Sequence, residues 1–115
     1  MTQDPAFART PEPPYYAVIF TTRRTAGDNG YEAMAERMAA LAATMPGYLG
    51  AESARDAQGV GITVSYWESE AAILNWKRNG EHIAARRQGR RDWYRHYELR
   101  VARVERAYSL TRPVD

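Results

Sequence analysis

The sequence predicts an α+β fold with four strands and two helices in the order β-α-β-β-α-β. Three observations carry it. A β-branched and aromatic run, YYAVIFTTR, follows a proline-rich start. An apolar stripe at helical spacing runs from Tyr31 to Met45. Two extended runs, 48–56 and 60–67, are separated by a short turn segment. This order is the ferredoxin-like split βαβ unit.

Met1 to Pro14 carries four of the six prolines, Pro5, Pro11, Pro13 and Pro14. Proline suits neither a helix interior nor a central strand. Residues 1–14 therefore read as an extended arm, residues 15–110 as one domain and 111–115 as a tail. Tyr15 to Arg23 reads as the first strand, with no breaker before Gly27. Asn29, followed three residues later by Glu32, resembles a capping box that opens the first helix. Tyr31, Met34, Ala35, Met38, Leu41, Ala42 and Met45 form one apolar face there. Pro46 and Gly47 end it.

Tyr48 to Asp56 and Val60 to Trp67 read as a hairpin turned at Asp56-Ala57-Gln58-Gly59. Val60, Ile62, Val64 and Tyr66 alternate with Gly61, Thr63, Ser65 and Trp67, giving one firmly apolar face. Ser69 caps a second helix through Ala71, Ala72, Ile73 and Trp76. Asn79-Gly80 interrupts it, and a basic helical segment continues over Glu81 to Arg91. The last strand is predicted over Tyr97 to Tyr108. A four-stranded sheet with helices on one side leaves its other side bare. A second copy of the same sheet is the simplest cover, so a two-fold dimer is expected.

One domain fits the length of 115 residues. The chain has no cysteine, which removes disulfides, thiolate metal sites, Fe–S clusters and a cysteine nucleophile from consideration. The first 14 residues lack the apolar core of a secretory signal, and no apolar run is long enough to span a bilayer. A cytoplasmic location without membrane contact is the expectation. Net charge is only +2. From Lys77 onward, however, the chain is markedly basic. Arg91-Asp92-Trp93-Tyr94-Arg95-His96-Tyr97 mixes bases and aromatics in a way that suits nucleic acid. No nucleic-acid-binding motif accompanies it, and the expectation is no nucleic-acid partner. Paired carboxylates, a glycine-rich phosphate loop, a metal-ligand cluster and a Ser-His-Asp motif are all missing from the sequence.

Tyr15 to Phe20, Met45-Pro46-Gly47-Tyr48-Leu49-Gly50, and Ser65-Tyr66-Trp67-Glu68-Ser69-Glu70-Ala71 followed by Trp76 resemble the antibiotic biosynthesis monooxygenase family. The resemblance covers about residues 15 to 108. It implies a dimeric α/β barrel and a pocket between the sheet and the helices, with Trp76 at the pocket wall. The alternative for Trp76 is a core residue at helical spacing after Ile73. The haem-degrading branch of the family carries its histidine ligand about ten residues after that tryptophan, where this chain has Arg86. It also uses an asparagine in the first strand, and residues 11–26 contain none. Both departures argue against haem degradation.

His82 is a candidate ligand or general base, because a neutral imidazole performs either role near pH 7. Arg86 is the candidate partner of a phenolate or carboxylate. His82 and Arg86 make up the candidate catalytic set, with Trp76, Tyr66 and Trp93 as substrate-binding residues. The resemblance implies a cofactor-independent monooxygenase-like enzyme for a planar phenol- or polyketide-type small molecule, with no cofactor and no metal. The alternatives are a haem-binding or haem-degrading protein and a non-catalytic dimeric binding module.

A two-fold dimer is expected to survive at micromolar concentration. Light scattering that returns a mass near the 13.1 kDa of one chain would exclude it.

Overall fold

In the computed structural model, which describes residues 4–113, an antiparallel sheet carries the helices on one side. The outermost residues of the expected arm and tail, 1–3 and 114–115, lie outside the described residues. The strands are β1 (Tyr15–Arg24), β2 (Tyr48–Arg55), β3 (Val60–Trp67) and β4 (Tyr94–Val104), in the sheet order β2-β3-β1-β4. The helices are α1 (Tyr31–Ala42), α2 (Glu70–Lys77) and α3 (Gly80–Gln88), and α3 runs into a π-helical turn over Gly89–Trp93. The ferredoxin-like α+β prediction is met. None of these helices is long and apolar enough to cross a membrane.

The capping of α1 differs from the sequence expectation. Gly30 takes a left-handed φ of 81° and starts the helix one residue later. That turn brings the Asp28 carboxylate, not Asn29, to the free amides: it accepts from Gly30 N at 3.0 Å and Glu32 N at 3.1 Å. The Asn29 amide donates instead to the carbonyl of Ala26. The predicted stripe from Tyr31 to Ala42 is the side of α1 that is half-buried or buried. Gly47 has φ 83°, and a Cβ there would sit 2.6 Å from that of Ala72. Glycine at this turn thus lets α2 dock against it. Ser69 caps α2 as expected, accepting from Ala72 N at 3.1 Å.

The break at Asn79 is a new helix start. The Asn79 side chain accepts from Glu81 N and His82 N, so the basic segment is a separate helix. It ends at Gln88, not Arg91. The last strand is also displaced, starting at Tyr94 and ending at Val104 rather than spanning Tyr97 to Tyr108. Two bonds explain the early start: Thr25 donates its backbone N–H to Trp93 O at 2.8 Å and its hydroxyl to Asp92 O at 2.7 Å. Its end is set by the partner strand. Val104 pairs with Tyr15, the first residue of β1, and beyond it β1 offers nothing to bond.

Strand pairing assigns the two faces. Trp67, Ser65, Thr63 and Gly61 pair with Tyr16, Val18, Phe20 and Thr22 on the helix side. The apolar alternation of β3, Val60, Ile62, Val64 and Tyr66, therefore faces away from the helices. Trp67 is fully buried on the helix side, edge-on to Tyr48 and stacked with Trp76. The arm has no helix or strand over residues 4–14 and crosses the helix-free face. Ala8 N donates to Glu52 Oε2 at 3.1 Å, and Thr10 Oγ1 to Tyr15 OH at 3.0 Å.

Trp67→Ala is expected to cost about 3–5 kcal/mol, read as a lowered midpoint in chemical denaturation. Deleting residues 1–13 removes little buried apolar area, so a cooperative melt should persist. Loss of that melt would make the arm part of the fold.

Candidate functional site

On the helix side, three aromatic rings form a series that passes from sheet to helices. Trp67, at the end of β3, lies 6.2 Å from Trp76 on α2 with ring planes 24° apart. Trp76 in turn stacks on His82 of α3 at 4.1 Å and 11°. The separate cap at Asn79 makes this possible. It turns the chain between α2 and α3, so a residue six positions after Trp76 comes back against its ring.

His82 Nδ1 lies 3.0 Å from the carbonyl oxygen of Trp76. A carbonyl only accepts, so Nδ1 carries the proton and Nε2 keeps its lone pair. Burial pushes the imidazole pKa below its ordinary 6.5, and the nearby Arg86 guanidinium pushes the same way; the carbonyl bond works against both. The ring is accordingly neutral near pH 7. Arg86 lies one turn along α3 and reaches back to the carbonyl of Lys77 at 3.4 Å. Arg37 and Glu81 form a two-pronged ion pair, at 2.9 and 2.8 Å, that ties α1 to the start of α3. Both side chains are exposed, so the pair orients more than it stabilises.

The expected set of five residues divides into three places. Trp76, His82 and Arg86 share the α2–α3 corner. Tyr66 is on the opposite side of the sheet, because strand alternation puts it opposite to Trp67. Its hydroxyl donates to Glu52 Oε1 at 2.6 Å, and burial and the carboxylate hold its pKa well above the usual tyrosine value. Trp93 is buried at the end of the π-helical turn, edge-on to Tyr31, with its indole N–H donating to Asn29 O at 2.9 Å.

Two open grooves, of about 320 and 420 Å³, lie on the helix-free face along the β2–β3 hairpin. Ala54 and Ile62 border both, and Phe7 of the arm closes one side of the larger. Neither groove touches Trp76, His82 or Arg86.

A second cluster of polar and aromatic side chains was not legible in the sequence. Arg24 lies over the Tyr31 ring at 3.5 Å, and Arg55 Nη2 donates to Tyr31 OH at 2.8 Å. Tyr94 stands edge-on to Tyr31, and burial raises its pKa. These residues come from four separate elements. Tyr31 reads in the sequence only as the first position of an apolar stripe.

Comparison with known proteins places the fold and the sequence together. The family model described as antibiotic biosynthesis monooxygenase matches residues 15–88. The uncharacterized protein YqjZ of Bacillus subtilis (strain 168) is 56% identical over 99 residues, covering 86% of this chain and 87% of its own. Among solved structures, SnoaB, a cofactor-independent oxygenase from Streptomyces nogalater, superposes with a TM-score of 0.68 at 13% identity, over 89% of this chain and 100% of its own. A conserved protein from Methanosarcina mazei Go1 reaches 0.70 at 8% identity, over 78% of this chain and 92% of its own. Likeness at such identities speaks for the fold alone, whereas the family match spans most of the domain. The chain belongs to the antibiotic biosynthesis monooxygenase family.

Proposed function

We propose that the protein is a cofactor-independent monooxygenase-like enzyme acting on a planar aromatic small molecule of the phenol or polyketide type. The observation that carries this reading is His82, a neutral imidazole whose Nδ1–H is committed to the Trp76 carbonyl and whose Nε2 is left as a base. Family membership supports it, as does the likeness in fold to SnoaB, a cofactor-independent oxygenase.

In this scheme His82 Nε2 takes the phenol proton and Arg86 balances the charge of the phenolate. The electron-rich ring carbon then gives its electrons to dioxygen, forming a C–O bond and, with a proton, a hydroperoxide. Loss of the C–H proton from that carbon breaks the O–O bond and releases water, leaving a quinone carbonyl. Phenol plus dioxygen gives quinone plus water, so no further reductant enters. Trp76 contributes the edge or the remaining open area of its ring, since it already stacks on Trp67 and His82. Tyr66 and Trp93 take no part, being placed on the other face and in a separate ring cluster.

His82→Gln is expected to slow quinone formation by about 10²–10⁴-fold, measured as oxygen uptake with a panel of hydroxynaphthalenes and anthrones. Equal rates in the variant, or no uptake with any member, would overturn the reading. A Soret shift on adding hemin would favour haem binding through Nε2 instead. The activity should fall as pH drops through a value below 6.5, where Nε2 becomes protonated.

The same group links stability to pH. Its folded pKa lies below its unfolded value, so its contribution is fully present above about 6.5 and is lost as pH falls through the folded pKa. Thermal melts of His82→Gln should show less acid sensitivity across that window than the parent protein.

A further inference from the structure

We propose that the segment after β4, residues 105–113, is an exchanged tail that docks on a second copy of this chain, with Tyr108 and Leu110 seated in the two grooves along the β2–β3 hairpin. The docking involves none of Trp76, His82 and Arg86, so it stands independently of the base assigned to His82.

The tail leaves the sheet with its apolar side chains in water. Beyond Val104 it has no helix or strand through residue 113. Tyr108 is 97% exposed and Leu110 is 78% exposed, more than any other large apolar side chain among the described residues. Two such side chains so close together mark a segment that is covered elsewhere. In an extended chain, residues two apart share a side, so Arg106, Tyr108, Leu110 and Arg112 all point one way.

The helix-free face carries the matching surface. Its grooves of about 320 and 420 Å³ adjoin across Ala54 and Ile62. Side chains two residues apart on an extended chain, ~7 Å, can therefore enter one each. The larger groove, walled by Phe7, takes the Tyr108 ring, and the smaller takes Leu110. Acids flank the pair: Glu52 borders the larger groove and Asp56 the smaller. Glu52 accepts from Tyr66 OH and Ala8 N, and Asp56 Oδ1 from Gln58 N and Val60 N. Among the described residues neither acid is in an ion pair, and neither are Arg106 and Arg112. Arg55 also borders the smaller groove, but its guanidinium is turned away to Tyr31. A tail reading basic, apolar, apolar, basic thus meets a surface reading acidic, apolar, apolar, acidic, with Arg106 at Glu52 and Arg112 at Asp56.

Chain length decides whose tail it is. Val104 pairs with Tyr15, and Ile62, between the grooves, pairs with Thr21, six residues along β1 or ~20 Å. Ile62 also lies two strands across from β4, ~10 Å, which puts it ~22 Å from Val104. Tyr108 is four residues past Val104 and extends at most ~14 Å from it. A tail folding back on its own sheet falls short, whereas a second copy lying on the bare face brings its own hairpin to the tail. Two-fold symmetry then exchanges both tails at once.

Cross-linking between two differently substituted chains tests this, since the native chain has no cysteine. Leu110→Cys protein is mixed with Ile62→Cys protein in a glutathione redox buffer, and cross-linked peptides are identified by mass spectrometry. The expected result is a disulfide joining the two different chains, far above that between Leu110→Cys and Ala84→Cys, an exposed position on α3. A yield equal to that control overturns the proposal. So does a chain carrying both Leu110→Cys and Ile62→Cys that closes the bond only within itself. Dilution in light scattering gives the second readout. Tyr108→Ser with Leu110→Ser should raise the dimer dissociation constant about a hundredfold, with far-ultraviolet circular dichroism unchanged. An unchanged constant, or a parent protein that is monomeric throughout, would also overturn it.

Discussion

The burial of Trp67 is the constraint on which the rest of the architecture depends. Strand alternation turns this ring to the helix side at the end of a central strand, where it is wholly removed from water. Its indole N–H is satisfied locally by Ser65 Oγ at 2.9 Å, so burial leaves no polar group stranded. The ring then serves three neighbours: Tyr48 meets its face edge-on, Trp76 stacks on it, and the next backbone amide, Glu68 N, bonds Gly47 O at 2.9 Å. The position of α2 follows from those contacts. So does that of the Trp76 carbonyl, which fixes the proton on His82.

Much of this was written plainly in the sequence. The element order, the first strand, the hairpin and the Ser69 cap follow from β-branched runs, turn residues and helical spacing. The stripe of α1 was legible residue by residue, since each predicted position is half-buried or buried. Capping chemistry was harder to read. Asn29 and Asp28 are both good caps, and only the left-handed Gly30 decides between them. The bounds of β4 were not readable, because they depend on bonds from Thr25 and on where β1 begins.

The candidate site was legible only in part. Trp76 and Arg86 stand out in the sequence through the family resemblance and His82 through its imidazole chemistry, and the turn between α2 and α3 brings the three to one corner. Tyr66 was grouped with them by type, and the pleat of the sheet separates it. The apolar face of β3 reads as the natural core, yet the helices cover the other face. There the strand supplies Gly61, Thr63 and Ser65, small side chains that leave space for the large rings of α1 and α2. Hydropathy marks which residues alternate and not which side receives the helices. The Arg24–Tyr31–Arg55 group is assembled from strand ends and a helix start, and no spacing rule connects those positions.

The π-helical turn at Gly89–Trp93 makes the junction before β4 intolerant of changes in length. A wide turn of this kind holds one more residue than an α-helical one. That extra residue sets the phase with which the chain enters the last strand. Losing a single position here while keeping the strand in its slot would invert every side chain that follows. His96, Glu98 and Arg100 would turn to the helix side of the sheet, and Tyr97, Leu99 and Val101 would move to the opposite face. Insertions and deletions, commonly absorbed by surface connections, are thus barred from this five-residue stretch. Homologous chains should vary it in composition far more readily than in count.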